Sequence, residues 1–331
     1  MSEDEDFARV CDQYRTELLA HCYRMLGSIH DAEDLVQETY LRAWRSYSTF
    51  EGRASLRTWL YRIATNVCLS ALEHRDRKIL PSGLGAPTDH PEAPLSSSPP
   101  EVTWLQPAPD ALVSAPAADP ATIVAGRGSF RLALIAALQC LPARQRAVLI
   151  LRDVLAMPAG EVADLLGSSV PAVKSALQRA RGQLERLAPA EDEVADTVTP
   201  DQRELLDRYV SAFENADIQT LVALLADDAV AEMPPSPSWF AGRETVARFF
   251  AAQVFTAPGR YRLVPTSANT QPAFGLYRIG EDGLHHAHSL TVLTLADGRI
   301  TRISAFKDLA LFAPFGLAPT FGEQIVRQAS E

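Results

Sequence analysis

The stretch Glu161-Val-Ala-Asp-Leu-Leu-Gly167-Ser-Ser-Val-Pro171-Ala-Val-Lys174 decides how the middle of this chain folds. Ala163 is small where two helices must approach closely, Gly167 turns the chain, and Ser169 caps the helix that follows. The spacing predicts a short helix over 159–166 and a longer one over 169–187, a helix-turn-helix. Along the second helix Val173, Leu177, Ala180 and Leu184 recur at steps of four, three and four, so they face a core. The opposite side presents Lys174, Ser175, Gln178, Arg179 and Arg181. A solvated basic face on an ordinary amphipathic helix is the plainer alternative. Turn, cap and basic face together favour DNA, because a helix in the major groove needs cations for phosphates and Arg, Lys or Gln to reach base edges.

Working outward, the helical pattern extends upstream through Arg144–Val154 and Leu132–Leu141 to about residue 127. Before it, residues 79–126 hold ten of the 23 prolines. Proline removes backbone donors and fixes φ, so this stretch reads as an extended linker. Inside it, Trp104-Leu-Gln-Pro-Ala-Pro-Asp110 is either a stray hydrophobe in a tether or an anchor that docks the linker onto a folded surface. Upstream again, three helices are expected. One runs from Phe7 to Leu26 and closes at Gly27. The second is capped by Asp31, with Ala32, Val36, Tyr40 and Trp44 as its apolar stripe. The third spans about 55–75 with Leu56, Leu60, Ile63, Val67 and Ala71 facing inward.

Downstream of about residue 197 the period changes. Thr199-Pro-Asp-Gln202 is a capping box with proline at the first helical position. Helices over 200–213, 217–225 and 243–253 precede four strand-like runs, Tyr261–Thr266, Pro272–Ile279, Leu284–Leu295 and Arg299–Phe306. Glu281-Asp-Gly283 and Ala296-Asp-Gly298 are hairpin signals. Helices followed by an antiparallel meander indicate an α+β domain. The fold class is therefore multidomain, with two all-α domains, a proline-rich linker and a C-terminal α+β domain. The boundaries fall at 1–80, 81–126, 127–190 and 197–320.

The 331 residues carry a net charge of −10, which argues at first against a nucleic-acid partner. The distribution overturns that. Residues 42–78 carry eight basic against three acidic side chains and residues 127–187 nine against four, while residues 188–331 hold 19 acids and 11 bases. A polyanion meets the local patch, not the sum. No apolar run reaches the ~18–20 residues of a membrane span and the N-terminus is acidic and polar, so the expectation is a cytoplasmic protein with no membrane partner. Cys11, Cys22, Cys68 and Cys140 form no C-x-x-C pair, and no metal or cofactor is expected.

Asp31-Ala-Glu-Asp-Leu-Val-Gln-Glu-Thr-Tyr-Leu-Arg-Ala-Trp44 followed by Thr58-Trp-Leu-Tyr-Arg-Ile-Ala-Thr-Asn66 resembles region 2 of the extracytoplasmic-function (ECF) sigma factors. Leu141-Pro-Ala-Arg-Gln-Arg-Ala-Val-Leu149 with the helix-turn-helix is similar to region 4. The C-terminal domain resembles the SnoaL-like (NTF2-like) cone that some of these factors append. Trp104–Asp110 and Pro234-Pro-Ser-Pro-Ser-Trp-Phe-Ala-Gly-Arg-Glu244 look like motifs of that subgroup, which marks Trp104, Asp110 and Trp239 for interdomain docking. The resemblance implies a core RNA polymerase partner, gripped at the β′ clamp and β flap, and promoter DNA. It assigns core binding to Asp34, Gln37, Glu38 and Tyr40. It assigns the −10 element to Arg62 and Asn66, and the −35 element to Lys174, Ser175 and Arg179, flanked by Gln178 and Arg181. Trp59, near the −10 pair, reads as core.

The alternative is an enzyme, a cyclase or isomerase fused to DNA-binding helices, with His288 or Asp308 as base. His285-His-Ala-His288 does not make a metal site, since neighbours on opposite strand faces cannot share one ion. A repressor with one helix-turn-helix is a third reading, but it would have no use for the 31–66 pair of helices. The expectation is therefore a non-enzymatic transcription-initiation factor whose acidic C-terminal domain modulates it. A small ligand in the cone stays open.

Overall fold

The computed structural model describes residues 11–50, 52, 54–73, 77–96, 101–113, 130–187 and 199–321. The expected helix start at Phe7, the third-helix end at Arg75 and much of the proline-rich stretch lie outside them. The chain divides into two compact units. One is Met1–Lys78 with Leu105–Glu191, and the other is Ile79–Trp104 with Asp192–Glu331.

In the helical unit, α1 (Arg15–Leu26) ends at Gly27, whose φ of 66° is left-handed and whose N–H returns to the Tyr23 carbonyl. Ser28, not Asp31, caps α2 (Ile29–Ser46), accepting from the Asp31 N–H at 3.1 Å. Asp31 sits one turn further in and is ion-paired to Lys78. The buried stripe of α2 is Ile29, Ala32, Val36, Thr39 and Ala43. The expected stripe through Tyr40 and Trp44 is corrected: steps of four overshoot the 3.6-residue turn by about 40° each, so by Trp44 the drift is about 120°. Helix α3 (Leu56–Leu72) starts at Ser55, which caps Thr58. Helices α4 (Leu132–Gln139), α5 (Ala143–Leu149), α6 (Ala159–Leu165) and α7 (Val170–Leu187) follow, with a π turn over Ile150–Val154 after α5. Gly167 (φ 57°) makes the turn between α6 and α7, and Pro158 is tolerated because it precedes the first helical residue of α6.

The C-terminal end of α1 is where α4, α5 and the linker converge. Arg146, buried on α5, donates to the carbonyls of Met25, Gln139 and Leu141 and to Gln139 Oε1. The amide of Gln139 on α4 donates to the Arg24 carbonyl at 3.3 Å. Burial pulls the Arg146 guanidinium down to about 10. Its partners are carbonyl dipoles at a helix C-terminus, the end that attracts a cation. Leu105 is fully buried, and the Gln106 N–H donates to the Gly27 carbonyl at 2.9 Å.

The C-terminal unit is a curved six-stranded sheet, ordered β2-β1-β6-β5-β4-β3. The strands are β1 (Leu225–Glu232), β2 (Trp239–Ala241), β3 (Tyr261–Ala268), β4 (Gln271–Ile279), β5 (His285–Ala296) and β6 (Arg299–Phe306). Strands β3–β6 are the expected meander, with Asp297 (φ 50°) and Gly298 (φ 69°) in the β5–β6 turn. Strands β1 and β2 were not expected, and β1 runs parallel to β6. Helices α8 (Pro200–Asn215), α9 (Ile218–Leu224) and α10 (Arg243–Phe249) lie against the sheet. The capping box at Thr199 forms as read. Rings fill the space between them: Tyr209, Phe213, Phe250, Phe255, Tyr261 and Phe274 meet at centroid distances from 4.8 to 6.3 Å.

The proline-rich stretch is packed where it is described. In the C-terminal unit Ile79 bridges Trp104, the Ser82 N–H donates to the buried Glu232 carboxylate at 3.2 Å, and Arg302 joins Glu232 to the Ser82 hydroxyl. The Trp239 indole donates to the Gly85 carbonyl at 3.0 Å, and the Thr88 N–H to the Trp239 carbonyl at 2.7 Å. The Gln253 amide reaches the carbonyls of Pro91 and Ala93. Proline lacks donors but keeps its carbonyl, so side-chain donors from the sheet replace the backbone ladder.

Candidate nucleic-acid interface

Helix α2 presents Asp34 and Gln37 to solvent, with Glu38 half-buried and paired to Arg42 at 2.7 Å. Tyr40 does not share that strip. Its hydroxyl donates to the Cys11 carbonyl at 3.1 Å, and burial pushes it well above the usual phenol range. Leu41 and Trp44 do share it, 51% and 42% exposed. The acids are therefore joined by two large apolar side chains, a combination suited to a protein partner. Sequence reasoning passed over Leu41 and put Trp44 in the core. The signal lay in the 3.6-residue period.

On α3, Arg62 and Asn66 stand exposed one turn apart. The buried face of that helix is Leu60, Tyr61, Ala64, Thr65, Val67 and Cys68. Tyr61 is buried and shares the Glu17 carboxylate with Arg57. Trp59 packs on Phe50 and Tyr47 at 4.8 and 6.5 Å between centroids. Behind them His21 is fully buried, its imidazole held to Thr65 at 3.0 Å. Burial and the neighbouring Arg24 pull it down to about 3. Thr65 Oγ1 itself donates to the Tyr61 carbonyl, so it accepts from His21 Nε2–H.

On α7, Val173 and Ala180 anchor the helix and Gln183 donates to the Cys140 carbonyl at 3.0 Å. Lys174, Ser175, Gln178 and Arg179 are exposed and have no hydrogen bond or ion pair among the described residues. Arg181 is exposed too, but makes a two-pronged pair with Asp153 at 2.7 and 2.8 Å. The outer face of α7 thus offers donors without committed partners, as phosphates and base edges require.

In the C-terminal unit Trp104 lies at the Ile79 bridge and Trp239 against Gly85, whereas Asp110 opens a helical turn, Asp110–Val113, of the helical unit. The three histidines are committed separately: His285 to the Gly259 carbonyl, His286 to Asp282, and His288 beside the Tyr261 ring. Asp308 caps the Ala310 N–H. Among the described residues no three His, Cys, Asp or Glu side chains group as a metal site would require.

Residues 10–78 match the profile of sigma-70 region 2, residues 131–184 that of sigma-70 region 4, and residues 206–303 the SnoaL-like domain. The ECF RNA polymerase sigma factor SigG of Mycobacterium tuberculosis is 50% identical over 314 residues, 94% of this chain and 84% of the relative. SigJ of the same organism is 28% identical over 299 residues, 86% of each. The crystal structure of SigJ, 24% identical, superposes with a TM-score of 0.59, over 96% of this chain and 100% of that one, so it shares the fold. Two helical sigma regions and a SnoaL-like cone, on a chain half identical to SigG, make this protein a member of the ECF sigma factors of RNA polymerase, a transcription-initiation factor and not an enzyme.

Proposed function

We propose that this sigma factor grips the β′ clamp through the α2 strip and the β flap through region 4. Arg62 and Asn66 read the −10 element, and the outer face of α7 reads the −35 element. The C-terminal domain governs when this happens. One observation carries the regulatory reading: residues 79–96, the first part of the connection between the two DNA-reading regions, are built into the C-terminal unit around the buried Glu232 carboxylate. A factor whose inter-region connection is clipped cannot pay out chain freely. No described helix is long and apolar enough to cross a membrane, which fits work in the cytoplasm.

Scale supports a closed resting state. Elements numbered −35 and −10 lie about 85 Å apart along B-DNA at ~3.4 Å per base pair. A packed body of about 130 residues, the described part of the helical unit, is only about 36 Å across. With Arg146 and Gln139 holding region 4 to the end of α1, both heads cannot read one promoter, so engagement requires opening.

Run-off transcription with purified core polymerase tests the reading. The full chain should direct initiation, and Glu232→Ala should change its yield at subsaturating concentration by severalfold. If the two proteins transcribe identically across concentration and salt, the regulatory reading falls. If neither associates with core polymerase nor starts RNA, the initiation assignment falls with it.

A further inference from the structure

The sheet of the C-terminal unit gathers cations at one end of its inner face. Tyr261, Leu263, Phe274, Leu276, Leu293 and Ile303 define that face by their place in the main core cluster. Tyr261 pairs across strands with Arg278, which alternation puts on the same side as Leu276. Leu276 pairs with Ser289, and a bulge follows before Tyr277–Ala287. The bulge leaves His288 as the extra residue, its ring 6.0 Å from that of Tyr261. Phe306 pairs with Leu290, which belongs to the separate cluster of Tyr277, Phe312 and Leu317 on the other face, so Lys307, the residue just after β6, follows the alternation onto the inner face near His288. Arg260, whose carbonyl accepts from Ile279, completes the end.

No ion pair of Arg278, Lys307 or Arg260 is present among the described residues. Neither Arg278 nor Lys307 makes an ion pair or a side-chain hydrogen bond among the described residues, and the buried Arg260 Nε has no partner. The nearby acids are committed elsewhere: Asp282 to His286, Glu214 to Arg262, and Asp308 to the Ala310 N–H. The domain around them is acidic, and Lys307 is one of only three lysines in the chain. Deeper in the cone, the Tyr209 hydroxyl is fully buried with no partner among the described residues.

We propose that this end of the cone is a binding site for a small oxyanion, a phosphate or carboxylate group of a soluble molecule, held by Lys307 and Arg278 with His288 as a neutral donor. An anion there gives the half-buried Lys307 and the exposed Arg278, at the open end of the face, charge-assisted hydrogen bonds, shorter and stronger than neutral ones. Burial, and the charges of Arg278, Lys307 and Arg260, pull His288 down to about 4, so its ring is neutral near pH 7. Burial and Arg278 also lower the Lys307 ammonium. In both, burial is the larger cause, and the neighbouring positive charge that adds to it is the part an oxyanion would relieve. Recruitment of such a molecule would give the domain a chemical input, and the site stands whether or not the domain regulates transcription.

Calorimetric titration of the full chain at pH 7 and fixed ionic strength tests this, with inorganic phosphate in one arm, sodium benzoate in another and chloride as reference. One of the first two should saturate a single site, which identifies the head group. Lys307→Gln and Arg278→Gln should each weaken binding by about tenfold, with circular dichroism confirming that both fold. Arg248→Gln, an exposed cation away from this end, should leave binding unchanged. Absence of saturation in both arms overturns the proposal, and so does equal weakening by Arg248→Gln or retention of binding in both cone variants.

Discussion

Two described parts of the proline-rich stretch, 79–96 and 105–113, differ in where they go. Residues 79–96 belong to the C-terminal unit, held by an ionised network around Glu232 and by donors from Trp239 and Gln253. Residues 105–113 belong to the helical unit, held by burial of Leu105 and by Gln106 on the Gly27 carbonyl and the Tyr23 and Ser28 hydroxyls. A segment poor in donors thus becomes ordered in two ways. One borrows charged side chains from a sheet. The other closes the unsatisfied end of a helix, where carbonyls wait for donors.

Perturbing each seat separately is the way to break this contrast. The largest effect is expected at the helical seat. Gly27→Ala puts a Cβ 2.7 Å from Leu105 Cδ1 and 2.9 Å from Gln139 Cδ, at a φ of +66°. Overpacking and left-handed strain together should cost about 3 kcal/mol, read as a lower unfolding midpoint in urea, with proteolysis of 105–113 accelerated and 79–96 unaffected.

Acid comes next. His21 is held near 3 in the folded chain against about 6.5 unfolded. The unfolded state therefore binds the extra proton between those values, and stability present above pH 6.5 is lost as pH falls toward 3. By pH 5 this amounts to about 2 kcal/mol at ~1.4 kcal/mol per unit. His21→Gln should flatten the fall of the thermal midpoint with acid; an unchanged slope would remove His21 from the account.

Gln106→Ala should cost about 1 kcal/mol by removing one neutral hydrogen bond to Ser28, again sparing 79–96. Smallest is Glu92→Ala. Its pair with Arg248 at 2.7 Å is solvent-exposed, so no change in midpoint is expected. A clear loss there would mean that the sheet seat depends on surface charge and not on Glu232.

The sequence showed some of this plainly. Ala163, Gly167 and Ser169 mark the helix-turn-helix because each has a steric or capping duty that few residues meet, and Thr199 with Gln202 announces α8 for the same reason. Strand β1 was invisible. Leu-Ala-Asp-Asp-Ala-Val-Ala-Glu puts Asp227 and Asp228 mid-strand, and its pairing with β6 comes from residues about 70 positions away. The partners of the linker were equally hidden, since Leu80 and Leu105 are single apolar residues with no period. Of the candidate residues, the exposure of Asp34, Gln37, Arg62, Asn66 and the outer face of α7 follows from helical spacing, while their roles came from the family resemblance. Trp44 was put in the core stripe, because a four-residue step imitates the helix period for two turns and then drifts.

Because residues 79–104 lie in the C-terminal unit while their flanks lie in the helical one, the peptide bonds near residue 195 are not all that ties the domain to the rest. A single nick there should leave the two fragments travelling together on a sizing column, and fragments produced separately from 1–195 and 196–331 should find each other. Removing the domain outright would instead strip Leu80 and Pro81 of their cover.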